Sequence, residues 1–315
     1  RIKERINSFS EFRQWPAGKE ADVFGAWFDD ARLHFGDNLM FIMCDMEKHD
    51  LRQGRDCHKA VHAVYRFSGV PRLHIEVKHA LSKPHGRVQG TKTKFKANKV
   101  KRISGEDVTY FGNSAATDMA SDYAFDEPGP DSYAVGLSGD DLLLVGDATY
   151  LSDKLRTLGE RQLDLGFKFK TLATDDIHLV EFCQLLPWPT DNGTVWGPKL
   201  GRTLYRLGWT TSPNTDVYGT AKSLEASVAH IPMLNHFVAA MVKLAPFSEE
   251  LPYVRKLTPS VAYPVSGKAY DFIMARYGLT MSEIKSFEDM MDELTSLPVL
   301  CPFPQLQALC EIDGE

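Results

Sequence analysis

Two adjacent carboxylates sit at a turn between apolar runs: Ser138-Gly139-Asp140-Asp141 separates residues 133–137 from residues 142–145. That arrangement predicts the tip of a β-hairpin with Asp140 and Asp141 at its apex. A second acidic strand end lies upstream, Leu39-Met40-Phe41-Ile42-Met43-Cys44-Asp45, with a further aspartate at Asp50. Between them stands Ser104-Gly105-Glu106-Asp107-Val108-Thr109-Tyr110-Phe111-Gly112-Asn113-Ser114. Carboxylates on neighbouring strand ends can hold two hard cations, and two such cations can drive phosphoryl transfer. Asp45 and Asp140, with Asp141 beside them, are the proposed ligands.

Gly-Asp-Asp alone is weak evidence, because it is a common turn tripeptide. The Ser-Gly stretch is more specific. Ser104, Gly105, Thr109, Asn113 and Ser114 fit a loop that only glycine permits, leading into a helix and pointing a serine and an amide at a sugar. Five fixed positions recur by chance at roughly one site in a hundred thousand.

A basic run follows a different logic. Lys83, Arg87, Lys92, Lys94, Lys96, Lys99, Lys101 and Arg102 occupy twenty residues without one acidic side chain. Lys92, Lys94 and Lys96 at period two would line one strand face, a row suited to a phosphate backbone. A charged edge strand that resists aggregation is the plainer alternative. His58 and His62, four apart on a helix, lack a third ligand and read as a packed or solvated pair. Asp118, Asp122 and Asp126 read as an exposed helix face, and Trp188, Trp196 and Trp209 as buried structure or as a strand-lining path.

The elements that must position these groups follow from periodicity. Residues 20–35 are helical, residues 39–44 a buried strand, and residues 56–67 a helix stopped by Gly69 and Pro71. Residues 72–101 look extended, with a turn around Pro84-His85-Gly86. A helix over 114–125, the acidic hairpin, and a helix over 150–165 come next. Strands are expected at 167–172 and 178–186, a turn through Pro187-Trp188-Pro189 and Asp191-Asn192-Gly193, and helices from Val217 onward. This order is α+β with a mainly antiparallel sheet, not a doubly wound nucleotide fold.

The chain has 315 residues, 43% hydrophobic and 25% charged, which suits a packed globular protein. A formal net charge of −6 argues against coating nucleic acid with the whole surface; a basic channel needs only a local cluster. Cys44, Cys57, Cys183, Cys301 and Cys310 show no Cys-x-x-Cys spacing and read as reduced thiols. Residues 228–247 are too polar for a membrane span. The first residue is arginine, and the expectation is a portion of something longer.

The order Asp-x-x-x-x-Asp, Ser-Gly-x-x-x-Thr-x-x-x-Asn-Ser, Gly-Asp-Asp resembles the successive motifs of RNA-dependent RNA polymerases of positive-strand RNA viruses. Gly86-Arg87, Lys94-Phe95-Lys96, Arg102-Ile103-Ser104-Gly105-Glu106 and Glu181-Phe182-Cys183-Gln184 resemble the tombusvirus- and nodavirus-like branch. The resemblance spans roughly residues 39–209. It implies a right-hand polymerase palm, an antiparallel sheet flanked by helices, with partial fingers and a helical C-terminal thumb. The implied domains are a fingers remnant with a helical lead-in (1–36), palm with the first acidic motif (37–71), a basic finger-like hairpin (72–102), palm with the ribose-reading loop, acidic hairpin and primer-grip strands (103–200), and thumb (201–315). No basic strand for the triphosphate is evident in residues 1–37, so much of the fingers is expected to be missing.

What the resemblance implies chemically is template-directed RNA synthesis in viral genome replication. Asp45, Asp140 and Asp141 would bind two Mg2+ ions, for which Mn2+ would substitute. Asp50 and Asn113, helped by Ser104, Gly105 and Thr109, would read the ribose 2′-hydroxyl, which both donates and accepts. Lys168 or Lys170 would protonate pyrophosphate. Arg87, Lys92, Lys94, Lys96, Lys99, Lys101, Arg102 and Cys183 would contact RNA. The implied partners are the RNA template and nascent strand, nucleoside triphosphates and other parts of a viral replicase. The setting is host cytoplasm, in membrane-associated replication complexes reached through regions outside this chain, which has no transmembrane segment of its own. Two other readings are a non-catalytic RNA-binding protein of the same shape, and a reverse transcriptase; Gly139 and Asn113 both disfavour the latter.

Overall fold

The computed structural model describes residues 10–16, 20–81, 85–87, 90–96, 109–208, 216–247, 259–297, 301 and 303–314. The chain divides into two compact units, Arg1–Trp15 with Ala31–Asp175, and Pro16–Asp30 with Asp176–Glu315. Helices and a largely antiparallel sheet make up the described residues, in keeping with an α+β class.

In the first unit, strand β1 (Arg13–Gln14) precedes helix α1 (Ala21–Phe35), whose residues up to Asp30 belong to the second unit. Strand β2 (Leu39–Met46) follows, then short helix α2 (His49–Arg52), α3 (Arg55–Phe67) and α4 (Arg72–Leu81). Strands β3 (His85–Arg87) and β4 (Lys94–Lys96) pair as a separate ribbon. Helix α5 (Thr109–Phe125), hairpin β5 (Tyr133–Ser138) and β6 (Asp141–Asp147), helix α6 (Ala148–Leu165) and β7 (Phe169–Thr174) complete the unit. The five-stranded sheet has the order β1-β5-β6-β2-β7, and only the β1–β5 pairing is parallel. Its middle strands are buried along most of their length, so they read as continuous apolar runs rather than alternating ones. Ile42, Cys44, Val135, Leu137, Leu142 and Leu144 pack with Ala116, Ala120 and Ala124 of α5 in one core.

Three expectations change here. Residues 72–81 form a helix, not an extended arm. Ile75 is buried on its inner face, and Arg72 and Glu76 pair one turn apart at 2.6 Å. Pro71 stands at the start of this helix, and the apolar Ile75 gains a core contact there. The turn expected at Pro84-His85-Gly86 is a strand instead: His85 and Gly86 pair with Lys96 and Phe95. Helix α5 begins at Thr109, ahead of the expected 114, which puts Thr109 and Asn113 on one helical face.

The second unit holds a ribbon of β8 (Leu185–Thr190) and β9 (Gly193–Pro198), then helices α7 (Leu200–Gly208), α8 (Val217–Lys222), α9 (Glu225–Val228), α10 (Leu234–Leu244), α11 (Gly267–Tyr277), α12 (Met281–Asp292) and α13 (Leu306–Ile312). Residues 178–184 carry no strand; Ile177–Leu179 is a 3-10 turn. Pro187 and Pro189, expected in a turn, lie within β8 opposite Trp196 and Thr194. A two-stranded ribbon tolerates proline because each strand keeps an unpaired edge. Trp188 and Trp196 are fully buried; Trp196 packs on Phe24 and Phe28 of α1, and Trp188 on Phe272. Trp209 lies outside the described residues. No described helix is long and apolar enough to cross a membrane.

Candidate active site

The end of β2 and the tip of the β5–β6 hairpin meet in register. Asp45 is the Cα partner of Asp141 on one side and of Lys170 on the other. Ser138 and Asp141 are also partners, so Gly139 and Asp140 form a two-residue turn. Gly139 takes φ +68, a left-handed value that a side chain would strain, which is why glycine stands there. The turn is anchored from α5. Gly139 N–H donates to Ser114 Oγ at 2.9 Å, and Thr117 Oγ1 donates to the Gly139 carbonyl at 2.7 Å. Ser114 in turn donates to the Tyr110 carbonyl, so its oxygen is oriented to accept from Gly139.

Three carboxylates act on one another at this point. Burial pushes the Asp140 carboxyl above the usual carboxylate range, and the charges of Asp45 and Asp50 push it further, against a hydrogen bond from its own backbone. Asp45 is about half exposed, at 54%. The donor set is therefore hard oxygen, negatively charged and open on one side, the chemistry that suits Mg2+. Among the described residues no group of three or more His, Cys, Asp or Glu side chains is placed to hold a metal ion.

Asp50 reaches this edge through a tight reversal. Lys48 takes φ 53 after β2, and the single turn of α2 follows it. Asn113 Nδ2 donates to Asp50 Oδ1 at 2.8 Å across 63 residues of sequence. Gln53 Nε2 donates to Asn113 Oδ1, also at 2.8 Å, and lies 3.3 Å from His49 Nε2. Thr109 sits one helical turn before Asn113. Ser104 and Gly105 lie outside the described residues.

The two lysines after the hairpin helix divide. Lys170 Nζ is 3.9 Å from Asp45 Oδ2, whereas Lys168 pairs with Glu47 at 3.0 Å and holds that carboxyl below its usual range. On the ribbon, Arg87 is the Cα partner of Lys94, and Lys96 of His85. Lys92 and Lys94 are exposed, and Lys92 falls in the bend before β4, not on its face. Lys99, Lys101 and Arg102 lie outside the described residues.

Cys183 belongs to the second unit. With Gln184 it forms a two-residue turn between Phe182 and Leu185, at φ 53 and φ 63. Neither residue is glycine, so the turn carries backbone strain of the kind found at ligand-contacting sites. Cys183 also lines a cavity of about 300 Å³ with Lys199, Arg202 and Thr203.

The structure thus brings Asp45, Asp140, Asp141 and Lys170 together at one end of the sheet, and bonds Asn113 to Asp50 on the helices beside it. Gln53, Thr117 and Tyr110 were not singled out from sequence. Thr117 carried a faint signal, since it follows Ser114 by three on the same helix. Gln53 carried none beyond standing three residues after Asp50. No protein-family model matches the chain, and no curated protein matches it.

Proposed function

We propose that this protein is a template-directed RNA polymerase, a nucleotidyltransferase that adds ribonucleotides to an RNA 3′ end in viral RNA replication. The reading is supported above all by the register that sets Asp45 opposite Asp141, next to Asp140 at the hairpin tip, with Asn113 bonded to Asp50. In the reaction the 3′-hydroxyl oxygen forms a bond to the α-phosphorus. The bond from that phosphorus to the bridging oxygen breaks, and pyrophosphate leaves.

Asp45, Asp140 and Asp141 would hold Mg2+, which when bound acidifies the attacking hydroxyl and offsets phosphate charge. Asp50 accepts a hydrogen bond from a ribose 2′-hydroxyl and Asn113 donates one to it, a pairing that deoxyribose cannot make. Lys170, next to Asp45, is placed to give a proton to the departing pyrophosphate; Lys168 is held on Glu47 and is the weaker candidate. Lys92, Lys94 and the rest of the basic run would take the phosphates of template or product.

The test is magnesium-dependent primer extension on this chain and on a form extended upstream. Asp140→Ala should lower elongation by about a hundredfold or more while leaving thermal melting and RNA binding near wild type. Elongation by Asp140→Ala at the wild-type rate would remove this carboxylate from the chemistry.

A further inference from the structure

Gln53 is a charge-free polar side chain with no exposure at all, placed directly behind the pair that would face the sugar. A buried amide is costly unless its hydrogen bonds are made. Its Nε2 lies 2.8 Å from Asn113 Oδ1 and 3.3 Å from His49 Nε2. An amide nitrogen has two hydrogens and no acceptor capacity, so both contacts are donations. His49 Nε2 can take the second of these hydrogens in the tautomer that leaves that nitrogen bare.

The consequence falls on Asn113. With its carbonyl oxygen committed to Gln53, its Nδ2 must face Asp50, as the 2.8 Å contact records. Turned over, Asn113 would set its amide nitrogen against that of Gln53 and its oxygen against a carboxylate. Both contacts would be repulsive. The orientation of the Asn113 amide is thus held from two sides, by Asp50 at its nitrogen and by Gln53 at its oxygen from inside the fold.

We infer that Gln53 is a positioning residue for sugar selectivity: it locks Asn113 as a donor, so that the Asp50–Asn113 pair accepts nucleotides bearing a 2′-hydroxyl and rejects 2′-deoxynucleotides. This rests on the polymerase reading above. A site built to bond a hydroxyl discriminates strongly against the analogue lacking it, because its own polar groups are then left unpaired. Discrimination requires that those groups be held in one arrangement, and Gln53 supplies the hold on Asn113 that comes from inside the fold.

The experiment compares kcat/KM for a ribonucleoside and the matching deoxyribonucleoside triphosphate in primer extension, in wild type, Gln53→Met and Gln53→Glu. Methionine keeps the length and removes both donors. Glutamate keeps the shape and sets an acceptor against Asn113 Oδ1. The ribose preference should fall about tenfold or more in each, chiefly through a raised ribonucleotide KM, with the deoxyribonucleotide constants little changed. A purely structural role would lower both nucleotides in parallel, and that outcome, or an unaltered ratio, overturns the inference while wild-type extension leaves the polymerase reading standing. Should Gln53→Met fail to fold, the near-isosteric Gln53→Glu decides alone. Wild type without magnesium-dependent incorporation of ribonucleotides overturns both.

Discussion

Two hydroxyls on one face of α5 decide where the Asp140 carboxylate sits. Ser114 and Thr117 grip the amide and the carbonyl of the same glycine, so the turn cannot rock without breaking a buried bond. Thr117→Val keeps the side-chain shape and removes the donor, leaving the Gly139 carbonyl without this bond. Stability should drop by about 1–3 kcal/mol in urea denaturation. Extension should slow about tenfold, since small displacements of a reacting group are expensive. A Thr117→Val protein with wild-type rate and stability would show that the grip is incidental. At this scale the sequence was readable where residue types were chemically unusual in their spacing, as with Asp45, Asp50, Asn113 and Asp140. Gln53 and Thr117 were not readable, because a lone polar residue has the same appearance whether it faces water or a buried amide.

Helix α5 was read as carrying an exposed acidic face at Asp118, Asp122 and Asp126, and the structure corrects this for the first two. Arg13, on β1, bonds both Asp118 and Asp122, the latter at 2.7 Å. The side chains of Arg13 and Asp118 are each 14% exposed. Strand β1 reaches them by adding to the sheet in parallel beside β5, Arg13 opposite Val135. Period-four acids on a helix ordinarily mean solvent; here a guanidinium more than a hundred residues away covers them, which no local pattern encodes. Removing one partner of such a cluster leaves carboxylates with little solvent and no counter-charge. Arg13→Met should therefore destabilise the first unit by about 3 kcal/mol or more, read from thermal or urea unfolding. A loss below about 0.5 kcal/mol would place the cluster among ordinary surface pairs. Asp126 behaves differently: it lies outside this cluster and bonds Lys154 and Arg161.

Each unit of the molecule has its own core, and the second holds a histidine that titrates against burial. His230 has no exposed surface, and desolvation pushes its ring down to about 4 from an ordinary 6.5. Between those values the unfolded chain takes up a proton that the folded one refuses, so stability falls as pH drops from about 6.5 toward 4 and is flat above 7. Denaturant titrations at pH 7 and pH 5 should show wild type losing on the order of 1–2 kcal/mol more than His230→Leu between the two. Equal losses would mean that His230 is not what the acid limb reports.

Taken over the whole chain, the sequence by itself determined the strands that are apolar throughout, the helices with clear periodicity, and the order of the acidic, amide-bearing and Gly-Asp-Asp segments. Those properties are local: each depends on residue type and on neighbours within a few positions. Tertiary structure alone decided that Asp45 and Asp141 share a register, that Asn113 turns its nitrogen to Asp50, that Arg13 covers two acids, and that residues 72–81 coil rather than extend. Each of those outcomes depends on a partner far along the chain, or on burial that changes what a charge or amide costs. A linear pattern carries neither.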